Sequence, residues 1–301
     1  MPAIGFYCTD GDSCTFEQCF KGCRIANHHP AGRCMPLRTL RLIAEQREWT
    51  GKPSCTQLLK GTLEAYLEIT KDYYIDPQGA IFRIIGTKSH NMLDNFTGGN
   101  ELGEIRLEIE GITGAFDFYD PENGGMLMDT KTYGSYKAMK ALGLESVDVE
   151  TGEFYKSGAR KGQAKTKKAI QQGEPDLSEQ SLQLNLYRMM LEDAGFPCDG
   201  GMFLDICVRD GGTYMAKGRG VTQNAYLLPV PMLPNDEVMN TFLPKRDALL
   251  TALETDELPS ICTEGERWND KKCLEYCNIK EHCPYGAELL NEQKEVDLDA
   301  S

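Results

Sequence analysis

No apolar run in this 301-residue chain approaches the roughly 20 residues needed to cross a bilayer, so no membrane-spanning helix is expected. The opening stretch, MPAIGFYCTDGDSC, lacks a basic segment followed by an apolar one, which argues against a secretory signal. The expectation is a soluble cytoplasmic protein, bacterial or phage-encoded in its host, with no membrane partner. Basic charge is in deficit, with 32 Lys and Arg against 46 Asp and Glu and a net charge of −14. That argues against non-specific coating of nucleic acid and leaves room for a local basic patch. No GxxxxGK[ST] stretch occurs, so any unwinding of duplex must come from a partner. No flavin or nicotinamide motif and no internal repeat is present either.

What is present is uneven. Residues 155–172, YKSGARKGQAKTKKAIQQ, carry Lys156, Arg160, Lys161, Lys165, Lys167 and Lys168 and no acid. This segment reads as a basic linker able to guide a phosphate backbone, or as a solvated loop. The 12 cysteines are grouped. Cys8, Cys14, Cys19, Cys23 and Cys34 fall in the first 34 residues, and Cys262, Cys273, Cys277 and Cys283 near the end. Cys55, Cys198 and Cys207 stand apart and read as ordinary thiols. A disulfide framework is not expected in a cytoplasmic chain. Residues 1–50 form a cysteine-rich N-terminal region, 51–260 the core, and 261–301 a cysteine segment with an acidic tail. Residues 1–35 show little hydrophobic periodicity and read as a metal-organised loop region.

Hydrophobic periodicity places helices over about 35–48, over LLKGTLEAYLEIT, from about Ala80 to Phe96, and near Ser135–Leu142. Residues 103–119 alternate as a strand, PENGG turns the chain, and GGMLMDTKTY is the second strand of a hairpin. EPDLSEQSLQLNLYRMMLEDAGF is a helix burying one face through Leu182, Leu186, Met189 and Met190. GGMFLDICVRDGG and TQNAYLLPVPM are strands, and DEVMNTFLPKRDALLTALE is a helix broken or kinked at Pro244.

The hairpin raises a chemical question. Alternation puts Asp129 and Lys131 on one face of a strand, and the turn brings Asp117 alongside. Two carboxylates then converge with an amine beside them. Taken alone, Asp-x-Lys is most often a solvated ion pair worth about 0–1 kcal/mol. Oxygen donors so grouped suit Mg2+ or Mn2+, with Lys131 placed to orient a water or stabilise charge on a phosphate. His90, in GTKSH, can add an imidazole, and Gln183 and Tyr187 stand one helical turn apart.

In chain order the set is GTxxH, Asp, DxK and QxxxY. It resembles the RecB-type branch of the PD-(D/E)xK nuclease superfamily, which includes CRISPR-associated exonucleases, over roughly residues 50–285. One departure is Phe116, which stands where the superfamily name implies a proline. The resemblance implies an α/β fold with a restriction-endonuclease-like central mixed sheet flanked by helices, a cysteine-rich N-terminal appendage and a C-terminal metal-cluster segment. It implies that His90, Asp117 and Asp129 are metal ligands, helped by the Thr130 carbonyl. Lys131 is then the catalytic lysine, and Gln183 and Tyr187 hold the DNA strand and the site. The activity implied is metal-dependent hydrolysis of DNA phosphodiester bonds, as an exonuclease on single strands or ends. Implied partners are DNA and a helicase, recombination or CRISPR-adaptation protein.

Cys262-x10-Cys273-x3-Cys277-x5-Cys283 suits four thiolates around zinc or a [4Fe-4S] cluster, and spacing does not choose between them. The resemblance favours a structural [4Fe-4S] cluster. In its relatives the fourth ligand comes from upstream, so Cys34 or another N-terminal cysteine competes with Cys262. Cys8-x10-Cys19-x3-Cys23-x10-Cys34 is a candidate zinc site, with Cys14, His28 and His29 as substitutes. Two other classes compete with the nuclease: a non-catalytic DNA-binding or assembly subunit that keeps the fold and cluster, and a ferredoxin-like redox protein.

Overall fold

The computed structural model describes residues 3–96 and 98–299, except the side chains at 90, 91, 94 and 296–299. The architecture is mixed α/β, with sheets flanked by helices. The chain forms two compact units. One comprises the residues up to Lys88, Arg106–Ala115 and those from Pro234 onward, and the other Ser89–Ile105 with Phe116–Leu233.

The first unit begins with β1 (Ala3–Tyr7), β2 (Ser13–Thr15), α1 (Phe16–Lys21), α2 (Leu37–Ala44), α3 (Cys55–Leu58), α4 (Thr62–Thr70) and β3 (Tyr73–Ile75). Strand β1 pairs antiparallel with β2 and parallel with β3. Thr15 starts α1 through a capping box, its hydroxyl accepting from the Gln18 N–H while the Gln18 amide oxygen accepts from the Thr15 N–H. Phe6, Cys14, Cys19, Leu40, Ile43, Ile75 and Ile84 form a buried apolar cluster, with Phe16 packed edge-on against Phe6. The expectation of a metal-organised loop over residues 1–35 is therefore corrected. The short strands supply few apolar residues each, and aromatic rings together with the Cys14 and Cys19 thiols complete the core.

Helix α5 (Pro77–Asp94) starts three residues before the expected point, with the Asp76 carboxylate accepting from the N–H groups of Gln78 and Gly79. β4 (Leu102–Gly103) belongs to the second unit, whereas β5 (Arg106–Ile109) and β6 (Ile112–Ala115) are a hairpin of the first. The single strand expected over 103–119 is thus broken. Glu110 and Gly111 both adopt positive φ, 49° and 73°, which folds the chain back on itself. Alternation along 103–119 does not reveal that reversal, because both arms keep a period of two. After the second unit come α9 (Asn235–Thr255), α10 (Lys271–Glu275) and α11 (Pro284–Asp299). Helix α9 packs against α4 and runs through Pro244 without a break.

The second unit holds β7 (Phe118–Asp120), β8 (Met126–Tyr133), α6 (Ser135–Ala141), β9 (Leu144–Phe154), β10 (Ala164–Gln172), α7 (Ser178–Asp193), β11 (Met202–Val208), α8 (Tyr214–Gly218) and β12 (Ala225–Val230). Its mixed sheet runs β12-β11-β8-β7-β4. β8 pairs parallel with β11 and antiparallel with β7, and β12 closes one side antiparallel to β11. The β7–β8 turn needs glycine. Gly124 and Gly125 have φ of 73° and 74°, and a Cβ on Gly125 would lie 1.7 Å from the Pro197 carbonyl oxygen.

Two further expectations change. The basic segment is not a linker, for β10 pairs along its length with β9 as a separate two-stranded ribbon. And α7 is buried on nearly every side rather than along one stripe, with Leu182 only half-buried. It tolerates this because its polar side chains are bonded. Asn185 donates to the Ser181 and Pro231 carbonyls and accepts from the Leu233 N–H, and Arg188 pairs with Glu192.

Candidate functional site

The five-stranded sheet gathers most of the chemistry that the sequence singles out. Leu127, Asp129, Lys131 and Tyr133 share one face of β8. On β11, Leu204 stands beside Asp129 and Ile206 beside Lys131, and both are fully buried. Asp129 is thus a carboxylate in an apolar layer, 2% exposed. Such a charge needs a partner. The Lys131 ammonium lies 2.7 Å from its Oδ2, and the lysine side chain keeps 25% of its surface exposed. An ion pair with one end buried and the other reaching solvent is the central feature of this face.

Asp117 sits immediately before β7, opposite the middle of β8. Its Oδ2 accepts the Thr130 backbone N–H at 2.8 Å, tying the strand at the residue between Asp129 and Lys131. The Thr130 hydroxyl donates to Asp205 Oδ2 at 3.4 Å. Helix α7 packs on β8 and delivers Gln180, whose amide donates to the Tyr133 hydroxyl at 2.9 Å inside the core. Burial pushes the Tyr133 hydroxyl well above the ordinary phenol range, and the Asp129 and Glu179 charges push it further. One turn along the same helix, the Gln183 amide donates to the Tyr187 hydroxyl at 3.0 Å.

The structure therefore joins Asp129 to Lys131, Asp117 to Thr130, and Gln183 to Tyr187. His90 lies on α5, and its side chain falls outside the described residues. Three members were missed from sequence. Tyr133 continues the period-two series of Asp129 and Lys131. Gln180 stands three residues before Gln183 on the helix, and Asp205 interrupts the apolar FLDIC. The signal existed in each case, but only the pairing of β8 with β11 and the packing of α7 say that these residues meet it.

The metal expectations do not survive. Among the described residues no three His, Cys, Asp or Glu side chains are grouped to hold a metal ion. This overturns Mg2+ or Mn2+ at Asp117, Asp129 and Thr130, the [4Fe-4S] cluster at Cys262, Cys273, Cys277 and Cys283, and zinc at Cys8, Cys19, Cys23 and Cys34, while the His90 side chain lies outside the described residues. The metal-bearing PD-(D/E)xK and iron–sulfur description goes with them. At the sheet, Asp129 faces an ammonium and Asp117 is engaged by a backbone N–H, so the two carboxylates serve different partners. Cys262, Cys273, Cys277 and Cys283 line one concavity, shared with Leu63, Ile279 and the Lys272–Glu64 ion pair. Burial there raises the Cys262 and Cys273 thiols and pushes Cys277 up to about 12. The N-terminal thiols line a second concavity, where Cys14 is likewise pushed up to about 12 by burial and by Cys8, its Sγ 3.5 Å away.

Comparisons with known proteins are sparse. No protein-family model matches the chain, and no curated protein matches it. One solved structure, titled "Crystal structure of SSO0001", aligns over 82% of this chain and 93% of its own at 14% identity, with a TM-score of 0.41. Among the described residues no helix is long and apolar enough to cross a membrane.

Proposed function

We propose that the chain is a DNA-processing phosphodiester hydrolase, acting on single strands or ends, with a restriction-endonuclease-like sheet as its core. One observation carries the reading: a buried carboxylate, Asp129, holds a partly exposed lysine, Lys131, at 2.7 Å on a strand braced by a second carboxylate, Asp117. An ammonium fixed at the edge of an apolar layer suits the charge that builds on phosphoryl oxygens when water adds to phosphorus and the bridging P–O bond breaks. Asp129 keeps that ammonium charged and directed. Asp117 fixes the strand through the Thr130 N–H, and Gln180 and Gln183 stiffen α7 behind it. These residues supply charge and position, and duplex unwinding is left to a partner protein.

The test uses single-stranded and duplex DNA labelled at the 5′ or 3′ end. Parent, Lys131→Ala and Asp129→Asn proteins are compared with and without EDTA, so that a metal requirement is read rather than assumed. Cleavage by the parent that disappears in Lys131→Ala supports the reading, and the two labels give polarity. Absence of cleavage by the folded parent refutes it. The burial of Asp129 and its commitment to Lys131 favour a second reading in that event, a DNA-binding or assembly subunit without hydrolytic activity.

A further inference from the structure

The ribbon of β9 and β10 takes no part in the proposed hydrolase site. Among the described residues it pairs with no other strand, although β9 is 11 residues long and spans on the order of 35 Å. Its base is anchored, since Leu144 and Ile170 pack at Gly220, but its far half is exposed. Two-stranded ribbons of this length are marginal on their own, so an exposed one is an expensive element to keep without use.

Charge divides along the ribbon. Along the paired strands, Lys168 pairs with Asp148 midway and Lys165 with Glu153 just short of the tip, each at 2.8 Å. Beyond them the tip, residues 154–164, carries Lys156, Arg160 and Lys161 and no acid. No ion pair to these three, or to Lys167 on β10, is formed among the described residues. In a chain of net charge −14, this concentration of unneutralised cations is unusual. The tip is also ordered by its own backbone bonds: Tyr155 N–H to Gln163 O, Gly162 N–H to Tyr155 O, and Gln163 N–H to Arg160 O. Two aromatic rings stand among the cations. Tyr155 is covered by Arg160 and Lys165 at 5.9 and 6.0 Å, while Phe154 is left 60% exposed.

We propose that the β9–β10 tip is a binding arm for single-stranded nucleic acid, with Lys156, Arg160, Lys161 and Lys167 holding the phosphates and Phe154 stacking on a base. Cations interleaved with a bare aromatic ring are what a flexible polyanion with exposed π-faces requires. A folded acidic protein would match the charge and leave Phe154 unused. A duplex would hide its bases from the ring. The arm shares its nucleic-acid partner with the hydrolase reading, yet it makes a claim about binding alone.

The experiment measures fluorescence anisotropy of a labelled oligo(dT) in Lys131→Ala background, where cleavage cannot confuse the signal. The proteins compared are this background, the same with Lys156→Glu, Arg160→Glu and Lys161→Glu, and the same with Phe154→Ala. Circular dichroism and thermal melting show that each is folded. The triple charge reversal lowers affinity at least tenfold and flattens the plot of log affinity against log salt, between about 50 and 200 mM, by about 2 units of slope. Phe154→Ala lowers affinity about tenfold and leaves the slope unchanged. Equal affinity and slope in all three proteins, or no binding by the background, overturns the arm. Arm-dependent binding by a protein whose Lys131 form cuts nothing upholds the arm and refutes the hydrolase. Cleavage by the parent with affinity indifferent to the arm does the reverse. Tighter binding of duplex than of oligo(dT) also counts against it.

Discussion

Replacing Lys131 by Met tests the central ion pair directly. Two unit charges 2.7 Å apart attract by about 6 kcal/mol at an effective dielectric constant of about 20. Desolvation and side-chain ordering offset much of that gain. What counts in the variant is the carboxylate left behind, because Asp129 is only 2% exposed and sits against Leu204 and Ile206. Removing one member of a buried pair costs about 3–5 kcal/mol, and the partial exposure of Lys131 sets the expectation near the lower end, about 3 kcal/mol. Urea unfolding at neutral pH reads this as a lower midpoint at unchanged slope. The double variant Asp129→Asn with Lys131→Met removes both charges and returns to within about 1 kcal/mol of the parent. The reasoning is refuted if Lys131→Met alone loses less than about 0.5 kcal/mol, or if the double variant is less stable than the single one.

Other consequences follow from the same structure. Asn185→Ala strands the Pro231 carbonyl and the Leu233 N–H, at about 1–3 kcal/mol each, so urea unfolding should show a loss of about 2–6 kcal/mol; parental stability would contradict the bonding of α7. Gly125→Ala drives a methyl into the Pro197 carbonyl and strains a positive φ, and costs at least about 3 kcal/mol of thermal stability or the soluble protein altogether. Tyr7 and Tyr73 are both pushed up to about 12 by burial, then by the Glu281 and Glu68 charges respectively. The folded chain keeps these protons while unfolded tyrosine loses them near its ordinary value of 10.0, so stability falls as pH rises from about 10 to about 12. A phenolate absorbance titration in which both ionise at 10 would contradict that. Thiol labelling near pH 8 should modify exposed Cys207 well before buried Cys198 and half-buried Cys277, both pushed up to about 12 by desolvation; equal rates would refute that setting.

The legible part of the site was local. The period-two series through Asp129 and Lys131, the glycine turn after Glu122, and the Gln183–Tyr187 spacing all follow from backbone geometry that any short segment carries. The positions of α2, α4, α5, α6, α7 and α9 were readable for the same reason, with α5 starting three residues early and α9 lacking the expected Pro244 break, whereas α1, α3, α8, α10 and α11 were not read from sequence. The errors were made where a segment's role depends on what lies beside it. Residues 103–119 alternate throughout, yet the left-handed pair Glu110–Gly111 splits them into separate hairpin and sheet. The basic segment has strand-forming residues, but nothing in it names β9 as partner. Cysteine spacing was consistent with metal sites, and the fold used Cys14 and Cys19 as apolar filling.

Sequence by itself determined which residues can alternate, turn or cap, because those preferences arise within a few bonds of each residue. It determined that a carboxylate and an amine would share one strand face, and that the chain would carry a cationic stretch within an acidic whole. Tertiary structure alone decided that Asp129 would be buried beside Leu204 and Ile206, since that requires β11 to lie parallel to β8 from some 75 residues away. It decided that Asp117 would bind a backbone N–H, that the buried thiols would favour their neutral form, and that the basic stretch would become one side of a ribbon. The physical reason is common to all four. Burial and charge pairing are set by neighbours brought together through packing, and their energies exceed the local preferences that a sequence displays.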